Sequence, residues 1–455
     1  MERYSEKKFD VVVAGGGVSG AAAAIAAARE GADTLLLEQE GYLGGSLTGC
    51  GVGPMMTFFA GEKQVIAGVM QEIVDELVRR GCSRGHVRDT TQYVSYNTPF
   101  SAEGLKLVLD EMTADAGCRV LFHTAVGGAE RSGKTLKSLT VCNKDGLNPV
   151  TGSVFIDATG DADVAALAGA SFTKGRPSDG AAQPMTMNMK YCGVDSEALR
   201  AYVLAHPEEF EQLRDHGDLV RSGEPLAVVG FDRTFRRAKA GGEVEIPRED
   251  LQLFETDRPG EYIVNTTRIL DHDGTSAESL SDAERVGRRQ CAQLDAFLRG
   301  HVPGFEKAIL EFTGPSVGVR SSRQFSGCVT LTAEDILSRR RFSSVIAHSG
   351  YPIDIHNPKG EGTDSTFLSE PGAYYSIPYE ILFCDEIDNL LVAGRCVSAS
   401  FEAQAAIRTA PTSGAMGQAC GIAAAMATRD GCSVGQVNVS ELQRELRFRG
   451  AFLDL

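Results

Sequence analysis

The sequence predicts an α/β protein: a parallel sheet with helices on its faces, interrupted by an inserted α+β domain. Three observations predict it. Between Phe9 and Leu37 a β-branched run, a glycine-rich turn, an alanine-rich helical stretch and a second apolar run follow one another, the order of a parallel strand–helix–strand unit. A strand entering a glycine turn returns late, at Asp388–Gly394. Between them, over residues 174–385, the rhythm lapses and most of the arginines, prolines and longer helical patterns collect. The expected organisation is therefore 1–173 and 386–430 as the two parts of one domain, 174–385 as an insertion, and 431–455 as a C-terminal tail.

Taken in order, Phe9–Val13 reads as a strand buried on both faces, and Ala21–Glu30, rich in the best helix former, as a helix closed by Gly31. Thr34–Leu37 is the second strand. Helices follow at Val65–Arg80, stopped by Gly81, and at Ser101–Ala116. Strands are expected at Arg119–Ala125, before a glycine turn, then at Leu136–Cys142 and Thr151–Thr159, with a short helix at Asp163–Ala170. Within the insertion Ser281–Arg299 has a long helical pattern, and a second Ala/Gly-rich helix spans Thr412–Thr428.

Composition excludes several classes. The chain has 455 residues, 45 Lys plus Arg against 61 Asp plus Glu, and a net charge of −16. No basic cluster is present, so no nucleic-acid partner is expected. The 11 cysteines are odd in number, lack a Cys-x-x-Cys pair and show no metal-ligand spacing with His, so neither a disulfide scaffold nor a metal site is expected. Val11–Ala28 has the 18-residue length of a membrane span, but four glycines and eight alanines leave it little bulk, and no span is expected. Met1–Asp10 lacks a basic-then-apolar leader, so a cytoplasmic chain is expected. The outlier is glycine: 51 residues, against about 32 at ordinary usage. That excess suits tight turns and close backbone approach to a bulky ligand.

Gly15-Gly16-Gly17-Val18-Ser19-Gly20 carries the chemistry of a dinucleotide turn. One glycine makes the turn, one admits a pyrophosphate, and one lets helix and strand pack closely, while the helix start at Val18-Ser19 favours the anion. Glu38, followed by Gln39, ends the second strand 18 residues after Gly20. A carboxylate there accepts bonds from ribose hydroxyls and repels a 2′-phosphate, which favours FAD or NAD over NADP. A second turn, Gly44-Gly45-Ser46-Leu47, suits an extended FAD running past the first one.

This arrangement resembles the FAD superfamily that includes glutathione reductase. The segment His123-Thr124-Ala125-Val126 looks like the one whose backbone meets adenine. Ile156-Asp157-Ala158-Thr159-Gly160-Asp161 and Leu391-Val392-Ala393-Gly394-Arg395 look like its later cofactor turns. More narrowly, Val264-Asn265-Thr266-Thr267-Arg268, Gly318–Arg323, Tyr351–His356, Ser376–Tyr379 and Ala406–Gly421 resemble a bacterial family of FAD-dependent oxidoreductases. The resemblance implies a Rossmann-like FAD-binding domain with an inserted α+β substrate domain, FAD as cofactor, and Gly417 and Gln418 among the cofactor residues. Ser321, Glu380 and Phe401 stand where that family carries acidic, basic and histidine side chains, pointing to an altered substrate pocket.

For chemistry, His356 is the expected proton donor or acceptor, with Asp354 on the same strand face to orient it. Arg408, just before the late helix, could bind a substrate carboxylate or carbonyl. Arg320 and Arg323 could together clamp an anion, and Tyr351 is a further candidate substrate residue. The late helix is expected to aim its N-terminus at the flavin, a flat ring lying on Gly414, Ala415 and Gly417. Cys50 has no partner at dithiol spacing. No second glycine-turn unit exists for NADPH, so beside a small-molecule substrate the expected electron donor or acceptor is external: the substrate itself, oxygen, a quinone or a partner protein. The reading is a flavin oxidoreductase working by hydride transfer. Its alternatives are a fumarate-reductase-like reductase with an Arg as proton donor, a flavin-bearing relay subunit, and a flavin-free NAD dehydrogenase. A homo-oligomer is left open.

Overall fold

A computed structural model of the chain describes residues 3–213 and 216–454, so Met1-Glu2 of the polar N-terminal segment lie outside the described residues. The first sheet is built around a single βαβ unit, β1 (Lys8–Ala14), α1 (Val18–Arg29) and β2 (Thr34–Leu37), continued by β3 (Arg119–Leu121), β4 (Ala125–Ser132), β5 (Thr135–Asn143) and β6 (Gly146–Asp157). Its order is β3-β2-β1-β6-β5-β4, with the late strand Leu390–Val392 also on β6. Strand β6 changes partners along its length. Its first half runs antiparallel to β5, with Gly146 opposite Asn143, while its second half lies parallel to β1 and to Leu390–Val392. Val11, Val12, Val13 and Ala14 are fully buried, as helices on both faces of a parallel sheet require.

The strand expected over Arg119–Ala125 is broken. Phe122–Thr124 turns through His123 at φ 50°, and the backbone N–H groups of His123 and Thr124 donate to Glu40 O and Glu38 O. The chain leaves the sheet to bond the segment after Glu38. Gly127 and Gly128, expected in a turn, lie within β4 at a register shift.

A second, all-antiparallel sheet joins β7 (Met189–Cys192), β8 (Ala227–Gly230), β9 (Leu251–Glu255), β10 (Tyr262–Val264) and β11 (Ile309–Thr313) in the order β8-β9-β10-β7-β11. Helix α2 (Ala277–His301) packs Ala283, Cys291, Leu294 and Phe297 into its core. That core draws on residues from Met185 to Val319. Phe325, Leu331, Val345 and Ile377, expected in the inserted domain, join the first core. The segment 431–455, expected as a tail, carries the helix Val439–Phe448 and buries Leu442 and Leu446 in the same core.

Two helices close the molecule, α3 (Phe401–Ile407) and α4 (Ala410–Asp430). Helix α4 crosses α1 at a contact that admits no side chains. A Cβ on Gly417 would lie 2.1 Å from Ser19 O, and one on Gly421 2.1 Å from Ala23 O. A Cβ on Gly414 would lie 2.1 Å from Met70 Sδ. The small residues of α4 therefore serve helix packing, which corrects the expectation that a flavin ring rests on Gly414 and Gly417. Gln418 is likewise structural: its Oε1 accepts from Val69 N at 3.1 Å and its Nε2 donates to Arg449 O at 3.3 Å.

Gly421→Ala is expected to cost about 1–3 kcal/mol through overpacking. Gly300→Ala, on the exposed end of α2 with no atom within 4 Å of its Cβ, should be neutral or stabilising by up to ~1 kcal/mol. Urea unfolding of the two variants side by side checks the contrast.

Candidate active site

In the first glycine turn Gly15 and Gly20 sit where no side chain fits. Gly15 has φ +97° and a Cβ there would sit 2.4 Å from Ala158 O, while a Cβ on Gly20 would meet Gly15 O at 1.8 Å. Gly17 is different: its Cβ would find only Gly45 Cα, at 3.8 Å. Gly16 N donates to Glu38 Oε2 at 2.6 Å, and Glu38 Oε1 accepts from Glu40 N at 2.8 Å. Burial raises the Glu38 carboxyl above its ordinary range against those bonds. Gly44, at φ +108°, donates its N–H to Gly16 O at 2.9 Å, so the second turn is stitched to the first. No side chain caps the twelve-residue α1, which leaves its first N–H groups for an anion.

The later turns close on the same space. Buried Asp157 shapes the first of them, accepting from Thr159 N, Thr159 Oγ1 and Ala165 N, and burial pushes its carboxyl up to about 6. Asp161 pairs with Arg395 Nη2 at 2.6 Å and accepts from Ser322 Oγ at 2.5 Å. Gly394 turns at φ +96°. One cavity of about 900 Å³ is lined by Gly15, Gly17, Val18 and Ser19 of the first turn, by Glu38 and Gln39, and by Gly45, Ser46 and Leu47. Val126, Ala158, Thr159, Gly160, Asp161, Gly394 and Arg395 continue its wall. Gly16, Gly20 and Gly44 shape the turns without lining it. The open face at Gly17, the uncapped helix and the buried, unpartnered Nε of Arg395 fit FAD.

At its other end the cavity reaches a hairpin, β12 (Ile353–His356) and β13 (Thr363–Thr366). Asp354 and His356 do share a face of β12. Asp354 Oδ2 is a hub: it lies 3.4 Å from His356 Nε2 and 3.2 Å from Arg408 Nη2, and it accepts from Tyr351 OH at 3.2 Å. Arg408 is delivered by the break between α3 and α4, where it caps α3. Burial opposes ionisation of Asp354, but His356, Arg408 and Arg320 outweigh it and hold the carboxyl well below the ordinary range. His356 is pushed down to about 3 by burial and by the Arg320 guanidinium, against the pull of Asp354. It is thus neutral at pH 7, with the proton assigned to Nε2 facing Asp354 and Nδ1 accepting from Thr363 Oγ1 at 3.2 Å. The N-terminus of α4 reaches the same cavity through Thr409, Ala410 and Ser413.

Other expectations separate here. Arg320 lines the cavity and donates to Pro184 O at 2.6 Å. Arg323 does not line it and instead pairs with Asp163 at 2.7 Å, so the two do not form one clamp. Ser321, Glu380 and Phe401 line no part of the cavity. Ser321 Oγ accepts from Gln183 N and Glu380 accepts from Ser344 Oγ, so those departures concern packing. Cys50 does line it, with its thiol raised by burial despite Ser316. Tyr93, Arg248 and Arg268 also line it and were not singled out from the sequence. Arg268 ends one of the quoted stretches; Tyr93 and Arg248 carry no local signal.

The family model for FAD dependent oxidoreductases matches residues 10–446. The chain belongs to that family, is an FAD-dependent oxidoreductase, and takes FAD as its cofactor. No curated protein sequence matches it. Among solved structures it is similar to a geranylgeranyl bacteriochlorophyll reductase-like protein from Thermoplasma acidophilum, at 13% identity and a TM-score of 0.47 over 98% of this chain and 84% of that one. It is also similar to the OxyS anhydrotetracycline hydroxylase of Streptomyces rimosus, at 13% and 0.46 over 97% and 66%. A p-nitrophenol 4-monooxygenase from Pseudomonas putida matches at 12% and 0.40 over 70% and 68%. Among the described residues no helix is long and apolar enough to cross a membrane.

Gly17→Val is expected to fold and to unfold at the temperature of wild-type apoprotein, since its backbone (φ −61°) suits any residue, yet to purify without flavin absorbance. For His356, 15N NMR assigned against His356→Asn should report a neutral imidazole from pH 8 down to pH 5, the folded value lying near 3 and the unfolded near ~6.5.

Proposed function

We propose that this chain oxidises or reduces a small organic molecule in a two-electron step, by hydride transfer with its flavin. The observation that carries this reading is the single cavity that joins the glycine turns to Asp354, His356 and Arg408. Bound FAD supplies the hydride-accepting or hydride-donating ring, held by the turns at Gly15–Ser19, Gly45–Leu47, Ala158–Asp161 and Gly394-Arg395, in the arrangement of the glutathione-reductase-like superfamily. Asp354 keeps His356, Tyr351 and Arg408 in register, so substrate is oriented by groups that need no rearrangement. The Arg408 guanidinium stabilises negative charge that develops on a carbonyl or carboxyl group beside it. Asp354 and His356 are 6% and 7% exposed, so these charges act in a poorly hydrated site, where they count for more. The electron partner is external.

A second reading, a reductase of an activated double bond in which a guanidinium delivers the proton, is favoured by one observation. Both ring nitrogens of His356 are engaged within the protein, by Asp354 and Thr363.

Anaerobic bleaching of the flavin band by candidate small molecules, followed in a stopped-flow instrument, tests the proposal. Asp354→Asn and Arg408→Gln should keep FAD and lose about 100-fold or more in reduction rate. A comparable loss in His356→Gln assigns the proton step to His356, whereas a rate within ~3-fold of wild type moves it to a guanidinium. Unchanged rates in Asp354→Asn and Arg408→Gln would sink the assignment of chemistry to this end of the cavity.

A further inference from the structure

The end of the cavity that holds Asp354 carries more arginines than carboxylates. Four arginines line it: Arg248, Arg268, Arg320 and Arg408. Arg408 shares Asp354, and Arg248 pairs with Asp250 at 3.1 Å. Glu249 also lines the cavity but is exposed to solvent. Among the described residues Arg268 and Arg320 form no ion pair; each donates to a backbone carbonyl, of Gly362 at 2.5 Å and of Pro184 at 2.6 Å.

Arg268 is the more telling of the two. It is 2% exposed, and its backbone is gripped on both sides by Gln290 of α2, which accepts from its N–H and donates to its carbonyl at 2.8 Å each. Burial and the neighbouring Arg248 lower it to about 10, so it remains charged at pH 7. Its Nε has no partner, and neither does that of Arg408. Buried guanidinium N–H groups without acceptors are costly, and a buried cation without a counter-charge more so. The chain as a whole is net −16, so this concentration of positive charge is local to one end of the cavity.

We propose that this end of the cavity seats a substrate through a carboxylate, held by Arg268 and Arg408 with Arg320 and Arg248 adding charge. The inference rests on the reading of this end as the substrate site. A planar carboxylate matches the planar fork of a guanidinium. It supplies the close ion-pair partner that Arg268 and Arg320 lack among the described residues. Its position beside Asp354, His356 and Tyr351 would set the reacting carbon near the groups that Asp354 aligns. Tyr93 and Tyr351, in edge contact at 6.0 Å between ring centres, offer an apolar wall to its body.

Titration calorimetry on the FAD-loaded protein at pH 7 and low salt tests this with acetate, succinate and benzoate as probes, against benzamide and inorganic phosphate. At least one carboxylate should bind saturably, with benzamide and phosphate about tenfold weaker or worse. Arg268→Gln and Arg408→Gln should each lose about tenfold, while Arg323→Gln, outside the cavity, should not change. No binding by any carboxylate, benzamide equal to benzoate, phosphate equal to the carboxylates, or affinity unchanged in both arginine variants overturns the proposal. If Arg268→Gln does not fold, the comparison of benzoate with benzamide on the unmodified protein still decides. The flavin absorption band recorded in the same titration separates this inference from the reading beneath it. Carboxylate binding without any change in the band supports the anion seat and counts against a shared redox site.

Discussion

Helix α1 lies between a turn and a second helix at distances that leave no room for a side chain, and much of the molecule follows from that constraint. Gly20 brings its first turn against Gly15 O, and Gly417 and Gly421 bring α4 against Ser19 O and Ala23 O. With both contacts closed, the N-terminus of α1 stands at the mouth of the glycine turn and the N-terminus of α4 opens on the same cavity. A larger residue at any of these points would move a helix end, and with it the dipole and N–H groups that open on the cavity.

The second constraint is electrostatic. Asp354 is a buried carboxylate that stays ionised because His356, Arg408 and Arg320 face it. In return it fixes their positions. The same crowding drives His356 to its neutral form, so histidine, tyrosine and arginine surround one carboxylate with only the arginines carrying charge at neutral pH. Such an arrangement holds positive charge in fixed positions at the end of the cavity away from the glycine turns.

Architecture joins the two constraints. The antiparallel sheet and α2 position Arg248 and Arg268, the hairpin β12–β13 positions Asp354 and His356, and the α3–α4 break positions Arg408. No two of these three sources adjoin in sequence. The hairpin packs into the first core although it lies between the two parts of the parallel sheet, and residues of both cores line the cavity.

What the sequence determined by itself is local. The βαβ unit, the tight backbone contacts at Gly15 and Gly20, Glu38 at the strand end, and the shared face of Asp354 and His356 all depend on spacing within a few dozen residues, where backbone geometry leaves little choice. Tertiary structure decided the rest. Gly417 and Gln418 look like cofactor residues until α1 and the backbone of Val69 are seen against them. Arg320 and Arg323 look like a clamp until the chain turns one to the cavity and the other to Asp163. The charge state of His356 and the surroundings of Arg268 depend on burial and on arginines far away in sequence, and no local pattern reports the field of groups that meet only when the chain is folded.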